Sequence, residues 1–562
     1  MPKGSTKTIS TPKKQGALKL TINGESVSVN EGATILDAAK KADVYIPTLC
    51  HHDSIKPFGA CRLCIVEVKD AKGLVTACTA PAVNGMEVKT ETEKLRNLRK
   101  NILELILTEH PSTCLVCAES LKCRGAQDCA RKVGMTTSCH FCPNNAQCDL
   151  QMVWDHIKLT EMSLPIIYKS VPLERDDPFF DRDYNLCVLC DRCVRACKWG
   201  VIEMMQRGSD MAVGTAMNKT HTQSNCQFCG ACVDICPTGT LVERRRRWEG
   251  RADKKLATTC PYCSVGCSLT ASLKQGKVIE TIPDGEGCVR GRFCATDLNS
   301  NTKRILKPMI RQAGKLVEVP WAKAIETAAK AIEKHKGSDS ALVYSASLFN
   351  ETMLLAHKFA KDVMKTSNIM CPLSESEEPF WKKANEEGVK KFKRAARVSK
   401  DSKDMGLAYF IGEDVPDGAN ADFVIIQDMF LTPAAERSAD VVFPAASFFE
   451  SAGTTINNDG LIRKFSCLTE LTPNVKEDWR VISELAAKLE AKGFSYRSSE
   501  DILKELGKGT FSANNGTSKP ASTKGKILEL GPRLCDFAYR SVKLSDEIKG
   551  IQRICQERWP GK

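Results

Sequence analysis

Apolar and polar positions alternate with a period of two near the start of the chain. Residues 18–29 form two such runs around an Asn-Gly pair, which favours the positive φ of a tight turn, so the pattern predicts a β-hairpin. Thr34 and Asp37 then match a capping box ahead of apolar positions, and a short helix is expected. A helical period over residues 94–108 predicts a second helix.

The pattern of apolar positions changes at about residue 300, where short apolar runs alternate with stretches of helical periodicity. Buried parallel strands joined by crossover helices explain this alternation best. The predicted strands are Ala341–Ser345, Leu407–Ile411, Phe423–Ile426 and Val441–Phe443, and the predicted helices are Glu351–Met364 and Arg480–Leu489. Residues 509–526 are rich in Gly, Ser, Thr and Asn, so a flexible linker is expected there.

The middle of the chain, residues 111–294, has few apolar runs and little periodicity, so it can hardly bury an ordinary core. Of the 28 cysteines, 24 lie in residues 1–294. Disulfides would not persist at this density in a reducing compartment, and a small secreted scaffold would not be 562 residues long. The cysteines are therefore predicted to bind metal, which would also hold this segment together.

Charge and hydropathy exclude several classes of protein. The net charge of +13 favours acidic partners, but the basic residues are not interleaved with aromatic ones, so no nucleic-acid partner is expected. No run approaches the ~20 apolar residues of a membrane span. The first 16 residues also lack the apolar core of a signal peptide. A cytoplasmic protein without direct membrane insertion is predicted.

Four cysteines follow the predicted hairpin and helix, and ten residues separate the first two. They are Cys50, Cys61, Cys64 and Cys78. Four thiolates suit a [2Fe–2S] cluster, and zinc is the alternative because it also takes four thiolates. The long first loop and the preceding β pattern favour the cluster. This spacing resembles that of the N-terminal ferredoxin domain in the large iron–sulfur subunit of NADH dehydrogenase (complex I), in iron-only hydrogenases and in NAD-dependent formate dehydrogenase.

The next group begins with a histidine and contains eight candidate ligands. The first four, His110, Cys114, Cys117 and Cys123, resemble the one-histidine [4Fe–4S] motif of the same families. The second four are Cys129, Cys139, Cys142 and Cys148. Two [4Fe–4S] clusters with these local sets are favoured because each triplet is self-contained. An interleaved arrangement stays open, since the Asp-Leu-Gln that follows the family's third cysteine comes after Cys148 here.

Two tandem runs with spacings of two, two and three residues follow. In two-cluster ferredoxins each run gives three ligands to one [4Fe–4S] cluster and its fourth to the other. One predicted set is Cys187, Cys190, Cys193 and Cys236. The other is Cys226, Cys229, Cys232 and Cys197.

A fifth [4Fe–4S] set resembles the N-terminal motif of molybdenum and tungsten bis-pterin oxidoreductases. Its members are Cys260, Cys263, Cys267 and Cys288. Arg290 takes the place of a lysine that bridges cluster and pterin in that family, and a planar guanidinium is not equivalent to an ammonium. Five cysteines lack partners at ligand spacing and are expected to be ordinary buried thiols: Cys294, Cys371, Cys467, Cys535 and Cys555.

Most of residues 300–490 resemble the pterin-binding α/β region of formate dehydrogenase, in compressed form. That family places a His after its catalytic cysteine or selenocysteine, whereas Pro372 follows Cys371 here. The family's terminal pterin-dinucleotide barrel has no counterpart in the roughly 70 residues after Leu489. Molybdopterin is therefore not expected, and no catalytic residue is assigned.

The expected fold class is a multidomain protein with α+β and α/β parts. The predicted domains are a flexible basic arm (1–16), a β-grasp [2Fe–2S] ferredoxin (17–93), a His/Cys-rich domain (94–165), a two-[4Fe–4S] ferredoxin module (166–250), a [4Fe–4S] domain (251–298), a truncated molybdopterin-oxidoreductase-like α/β domain (299–508), and a linker and tail (509–562).

Three functions are compared. The favoured hypothesis is a multi-cluster electron-transfer subunit of an NAD(P)-linked oxidoreductase, with one [2Fe–2S] and five [4Fe–4S] clusters. Its partners would be a flavin/NAD(P)-binding subunit and a further redox subunit. The alternatives are a catalytic formate dehydrogenase-like molybdenum or tungsten subunit, and a zinc scaffold that binds nucleic acid.

Overall fold

The computed structural model describes residues 17–117, 139, 142–167, 169–392, 405–416, 421–509 and 530–561. The predicted basic arm, nearly all of the predicted linker, Cys123 and Cys129 lie outside these ranges. The chain divides into two compact units. The first contains residues 1–224 and 231–251, and the second contains residues 225–230 and 252–562. None of the helices in the described ranges is both long and apolar enough to cross a membrane.

The first unit begins with a five-stranded mixed sheet crossed by one helix. Its elements are β1 (Ala17–Ile22), β2 (Glu25–Asn30), α1 (Ile35–Lys41), β3 (Ile65–Val68), β4 (Val75–Thr76) and β5 (Glu87–Lys89). The sheet order is β2-β1-β5-β3-β4. β1 and β2 form the predicted hairpin, and Asn23 and Gly24 have the positive φ angles that its turn requires. The capping box of Thr34 and Asp37 starts α1 as predicted.

The remainder of the first unit consists of short elements around the cysteine motifs. They are α2 (Glu93–Leu107), α3 (Asp149–Ile157), β6 (Phe180–Arg182), α4 (Arg192–Ala196), β7 (Ile202–Met205), β8 (Ala212–Thr215), α5 (Ala231–Asp234), β9 (Leu241–Glu243) and α6 (Arg246–Glu249). α2 confirms the helix predicted over residues 94–108. Its Leu103 and Leu107 join Leu150 and Val153 of α3 in a small apolar cluster.

The second unit opens with a sheet that the sequence did not predict. Its antiparallel strands are β10 (Lys254–Thr259), β11 (Ser268–Lys274) and β12 (Lys277–Pro283). A π-helical turn, Arg290–Cys294, and α7 (Ala295–Asn299) follow. Such turns are rare and occur often at functional sites. This one comes directly after the ligand candidate Cys288.

A seven-stranded sheet with helices on its faces forms the body of the second unit. Its elements are β13 (Met309–Gln312), β14 (Lys315–Glu318), α8 (Trp321–Lys334), β15 (Ser340–Tyr344), α9 (Asn350–Asp362), β16 (Ile369–Met370), α10 (Glu386–Lys391), β17 (Met405–Ile411), β18 (Ala421–Asp428), α11 (Pro433–Ser438), β19 (Val441–Pro444), α12 (Asp478–Lys488) and α13 (Ser499–Gly509). The order is β14-β13-β19-β18-β17-β15-β16. The four predicted strands pair in parallel, which confirms the α/β prediction.

Two smaller pieces complete this unit. The first is the hairpin β20 (Gly453–Ile456) and β21 (Ile462–Phe465). The second is the tail, with β22 (Ala538–Tyr539), β23 (Val542–Lys543), α14 (Leu544–Glu547) and α15 (Lys549–Arg558). Short 3-10 turns occur at Thr113–Leu115, Tyr184–Leu186, Gly208–Asp210, Ala216–Asn218 and Pro532–Leu534.

Candidate metal centres

The four cysteines predicted for a [2Fe–2S] cluster converge beside the first sheet. The main-chain N–H of Cys61 donates to Cys50 Sγ at 3.5 Å, and the Sγ atoms of Cys64 and Cys78 lie 3.4 Å apart. Hydrogen bonding to Cys78 lowers the pKa of Cys64 to about 7. Gly59 has φ +75°, and a side chain there would meet Thr79 at 3.1 Å, so glycine is required in the ligand loop. The thiolate is the form of cysteine that binds metal, so thiols that stabilise a neighbouring thiolate by hydrogen bonding are suited to a metal site.

His110 lies in a buried cavity with the second cysteine triplet, Cys139, Cys142 and Cys148. The imidazole is 5% exposed, and neither ring nitrogen has a hydrogen-bond partner among the described residues. Burial lowers the pKa of His110 to about 4. The nearby Leu186 backbone opposes this shift, although its geometry does not meet that of a hydrogen bond to either ring nitrogen. A neutral, unpartnered imidazole facing three thiols has the chemistry of a fourth ligand.

This cavity brings His110 of the first local set together with three members of the second, as an interleaved arrangement would, while Cys123 and Cys129 lie outside the described residues. Cys114 and Cys117 are half-buried, and neither lines the cavity. Cys114 is still near, because its charge raises the pKa of Cys139. The sequence signal for this grouping was the Asp-Leu-Gln after Cys148. Gly239 permits the approach of Cys142, since a Cβ atom there would lie 2.5 Å from the Cys142 sulfur.

Three cysteines of the first ferredoxin-type run line one cavity together with the last cysteine of the second run. They are Cys187, Cys190, Cys193 and Cys236. Burial raises the pKa values of Cys187 and Cys190 to about 12, and the charge of Cys236 adds to both shifts. Cys236 acts on Cys193 in the same direction. The grouping is the crossed one of two-cluster ferredoxins.

The two runs have a left-handed residue at the same position, which the sequence did not predict. Leu189 and Phe228 occupy matching positions, and both are left-handed, with φ of 50° and 49°. Their main-chain N–H groups donate to the first cysteine of each run, as Phe228 does to Cys226 Sγ at 3.3 Å. N–H donors to sulfur stabilise a thiolate. The second run is divided between the units, with Cys226 and Cys229 in one and Cys232 and Cys236 in the other.

The fifth predicted set, Cys260, Cys263, Cys267 and Cys288, is grouped in the second unit. Burial is the largest cause of the raised pKa of the Cys260 thiol, and the charges of the other three cysteines raise it further. Burial raises the pKa of the Cys263 thiol, and the charge of Arg290, which lies beside this set, opposes that rise. Its guanidinium lies 3.9 Å from the centre of the Phe537 ring and donates to the Phe380 carbonyl at 2.9 Å.

The tail fills the cleft at the carboxyl ends of the parallel strands, where α/β proteins of this topology bind ligands. Tyr539 is 5% exposed and lies in ring contact with Tyr262 and Phe448. Arg540 forms ion pairs with Asp428, at the end of β18, and with Asp478. One cavity lined by Tyr539 and Arg540 among the described residues has a volume of about 20 Å³. This is room for about one water molecule, so a pterin dinucleotide does not fit in that cavity.

Four of the five cysteines outside the predicted ligand sets are buried as expected, namely Cys294, Cys371, Cys535 and Cys555. The expectation for Cys467 was wrong, because its side chain is exposed. Cys467 follows β21 on a surface loop, where its thiol contacts the Thr469 carbonyl at 3.1 Å. Nothing in the local sequence distinguished it from the buried thiols.

Five domain families match the chain in succession. They are a 2Fe-2S iron-sulfur cluster binding domain (15–93), an NADH-ubiquinone oxidoreductase-G iron-sulfur binding region (99–138), a 4Fe-4S dicluster domain (186–240), a molybdopterin oxidoreductase Fe4S4 domain (253–300) and a molybdopterin oxidoreductase domain (304–378 and 381–488). The chain is thus a multidomain mixed α/β protein that contains a 2Fe-2S ferredoxin domain, 4Fe-4S domains and a molybdopterin oxidoreductase domain. The resemblance drawn from the cysteine spacings is confirmed.

The chain is also similar to particular proteins over part of its length. It is 30% identical to the NADPH-Fe(3+) oxidoreductase subunit alpha of Geobacter sulfurreducens, over 63% of this chain and 40% of that protein. It is also 30% identical to an NADH-quinone oxidoreductase subunit from Rhizobium meliloti, again over 63% of this chain and 40% of that protein. The NADP-reducing hydrogenase subunit HndD of Solidesulfovibrio fructosivorans is 35% identical over 41% of this chain and 37% of its own length. The chain therefore spans about two fifths of these relatives.

Proposed function

We propose that this chain is a multi-cluster electron-transfer subunit of an NAD(P)-linked oxidoreductase. It would relay electrons between a flavin/NAD(P)-binding subunit and a further redox subunit. The names of the relatives support the nicotinamide link, since they refer to NADPH, NADH and NADP. The cytoplasm is the compartment we assign, because it keeps cysteines reduced.

The observation that carries the proposal is the cavity shared by Cys187, Cys190, Cys193 and Cys236. Cys236 lies 39 positions beyond Cys197 in the sequence, yet it joins the three ligands of the earlier run. A zinc knuckle would take its ligands from one run. The crossed grouping instead suits a pair of cubane clusters, which supply one-electron carriers.

The proposed ligands form six sets, one for a [2Fe–2S] and five for [4Fe–4S] clusters. The [2Fe–2S] set is Cys50, Cys61, Cys64 and Cys78. The ferredoxin-type sets are Cys187, Cys190, Cys193 and Cys236, and Cys226, Cys229, Cys232 and Cys197. The set of the second unit is Cys260, Cys263, Cys267 and Cys288, and Arg290 lies beside it.

For the histidine-containing region we propose the interleaved sets, because the His110 cavity supports them. His110 would join Cys139, Cys142 and Cys148. By ligand counting, Cys114, Cys117, Cys123 and Cys129 would form the other set. The matched family region ends at residue 138 and so covers the local set around His110. The cavity favours the interleaved sets over the local ones because its lining shows which residues are close in space.

Paired variants test this grouping. H110A and C148S should each abolish the same EPR signal and remove about four irons per chain. C117S should leave that signal and remove a different one. If H110A and C117S abolish the same signal while C148S does not, the local sets are correct. C467S is the matched control, since its thiol is exposed and lies outside every set.

The function as a whole is tested by metal content and redox behaviour. The anaerobically prepared chain should contain about 22 irons and be bleached by dithionite. A colourless protein containing zinc would contradict the proposal. Stoichiometric molybdenum or tungsten with formate-dependent dye reduction would instead support the catalytic formate dehydrogenase-like alternative.

A further inference from the structure

Arg195 connects two of the proposed ligand sets. It lies on α4 between Cys193 and Cys197. Its Nη2 group donates to the main-chain carbonyl of Cys50, in the [2Fe–2S] set, and to that of Cys190 at 3.3 Å, in the Cys187 set. One guanidinium nitrogen therefore bonds to the backbone of a ligand on each side.

Further contacts fix this side chain in place. Its Nη1 group donates to the Lys56 carbonyl at 2.7 Å, within the loop between Cys50 and Cys61. Its Nε lies 3.2 Å from the Asp191 carboxylate, and the two side chains are only 16% and 11% exposed. The Phe58 ring lies 5.3 Å from the guanidinium carbon. Four hydrogen-bond partners and one ring hold a group that is always charged.

We propose that Arg195 is a positioning residue for electron transfer between the Cys50 set and the Cys187 set. This rests on the proposed function. Two hydrogen bonds through one nitrogen make a continuous connection between the two ligand backbones. One electron leaves the donor set and one enters the acceptor set, with no bond broken and no proton moved. Arg195 would keep the separation of the sets short and constant, and its charge would favour the reduced state of both.

The test uses the full chain and three variants. R195Q removes the charge and the connection, and R195K keeps the charge but not the planar fork. R207Q is the matched control, because Arg207 is an exposed arginine of the same unit. Iron content and the potentials of both clusters are measured first. Freeze-quench EPR then follows electron exchange after mixing with substoichiometric dithionite.

We expect R195Q to keep both clusters but to slow their exchange roughly ten- to a hundredfold, as small misplacements of reacting groups do. Both midpoint potentials should fall in R195Q and return in R195K, while exchange stays slow in R195K. The control should match the unmodified chain. Exchange at the unmodified rate in R195Q, or complete rescue of the rate by R195K, would overturn the proposal.

A measurement on the unmodified chain covers the case in which R195Q loses a cluster. During stepwise reduction, the [2Fe–2S] EPR signal should relax faster once the cluster of the Cys187 set takes up its electron. Unchanged relaxation would overturn the connection while leaving the proposed function intact. Absence of any iron–sulfur signal would overturn both.

Discussion

One cavity region of the first unit and the cleft of the second unit contain different kinds of buried polar groups. In the first, the thiols of Cys187, Cys190, Cys193 and Cys236 surround a cavity, and the buried His110 ring lacks a hydrogen-bond partner among the described residues. In the second, Arg540 ion-pairs with two carboxylates in the cleft where a ligand would bind.

This difference separates cavities lined by thiols and an imidazole from a cleft that holds an ion-paired arginine. Buried polar groups are normally satisfied, so an imidazole beside thiols and without a hydrogen-bond partner among the described residues is suited to metal ligation. Function resides in sites and not in folds, so the likeness of this sheet to a pterin-binding region does not by itself assign it that function.

Removal of iron should have the largest effect and should separate the two regions. Segment 111–294 is expected to unfold in the apo-protein, while the sheet of the second unit stays partly structured, because its core is built from apolar side chains on strands and helices. Limited proteolysis with mass spectrometry measures this. Protease-resistant 111–294 in the apo-protein would show that packing alone suffices there. Reconstitution with iron and sulfide should restore resistance and serves as the control.

Loss of the Arg540 charge should have the next largest effect. R540M leaves Asp428, which is fully buried, and Asp478 without their counter-ion. Removing one partner of a buried pair costs about 3–5 kcal/mol. Thermal unfolding of the second unit should therefore occur at a clearly lower temperature.

A compensating variant checks the cause. Burial already raises the pKa of Asp428 to about 6, so the lone carboxylate is costly above that pH. R540M combined with D428N and D478N should recover part of the lost stability. If the triple variant is no more stable than R540M, lost packing and not charge explains the effect.

Local features were predictable from the sequence, and distant ones were not. The Asn23-Gly24 turn and the Thr34–Asp37 cap depend only on neighbouring residues. The parallel strands are recognisable because each is a short, continuous apolar run. β10 was missed because four of its six residues are exposed and its sequence is rich in Lys and Thr. Arg540 meets Asp428 across more than a hundred residues, so no local pattern revealed the filled cleft. The His110 cavity depends on distant contacts in the same way.

Gly230 tests whether a ligand loop in the second unit is packed as tightly as a core. Gly230 follows Cys229 with φ +81°, and a Cβ atom there would lie 2.6 Å from the Arg292 side chain. Arg292 is fully buried and paired with Glu280, so it cannot yield easily. G230A should cost about 2 kcal/mol from backbone strain alone, and more from this contact. G276A is the control, since Gly276 has φ +75° with nothing within 4 Å. Equal losses of thermal stability in both variants would show that the Arg292 side chain moves away from the added methyl group without a measurable cost.

The smallest expected effect concerns a buried carboxylate in the parallel-sheet region. Glu351 on α9 is 1% exposed, and it accepts hydrogen bonds from the Thr454 N–H at 2.8 Å and hydroxyl at 2.9 Å. Burial raises its pKa from 4.5 to about 7. The folded state therefore holds this proton more tightly than the unfolded state, and its stabilising effect is lost as the pH rises through 7.

Between pH 6 and pH 8 the unmodified chain should lose roughly 1 kcal/mol of unfolding free energy from Glu351, since one pKa unit corresponds to ~1.4 kcal/mol. E351Q stays neutral and can keep both contacts with Thr454, so its unfolding temperature should fall less over that range. E326Q is the matched control, because Glu326 is an exposed carboxylate of the same unit, on α8. The difference between E351Q and E326Q isolates the buried group. Parallel pH profiles for the unmodified chain and E351Q would mean that Glu351 is already ionised in the folded protein at pH 6, and that the sheet region accommodates a buried charge without an ion pair.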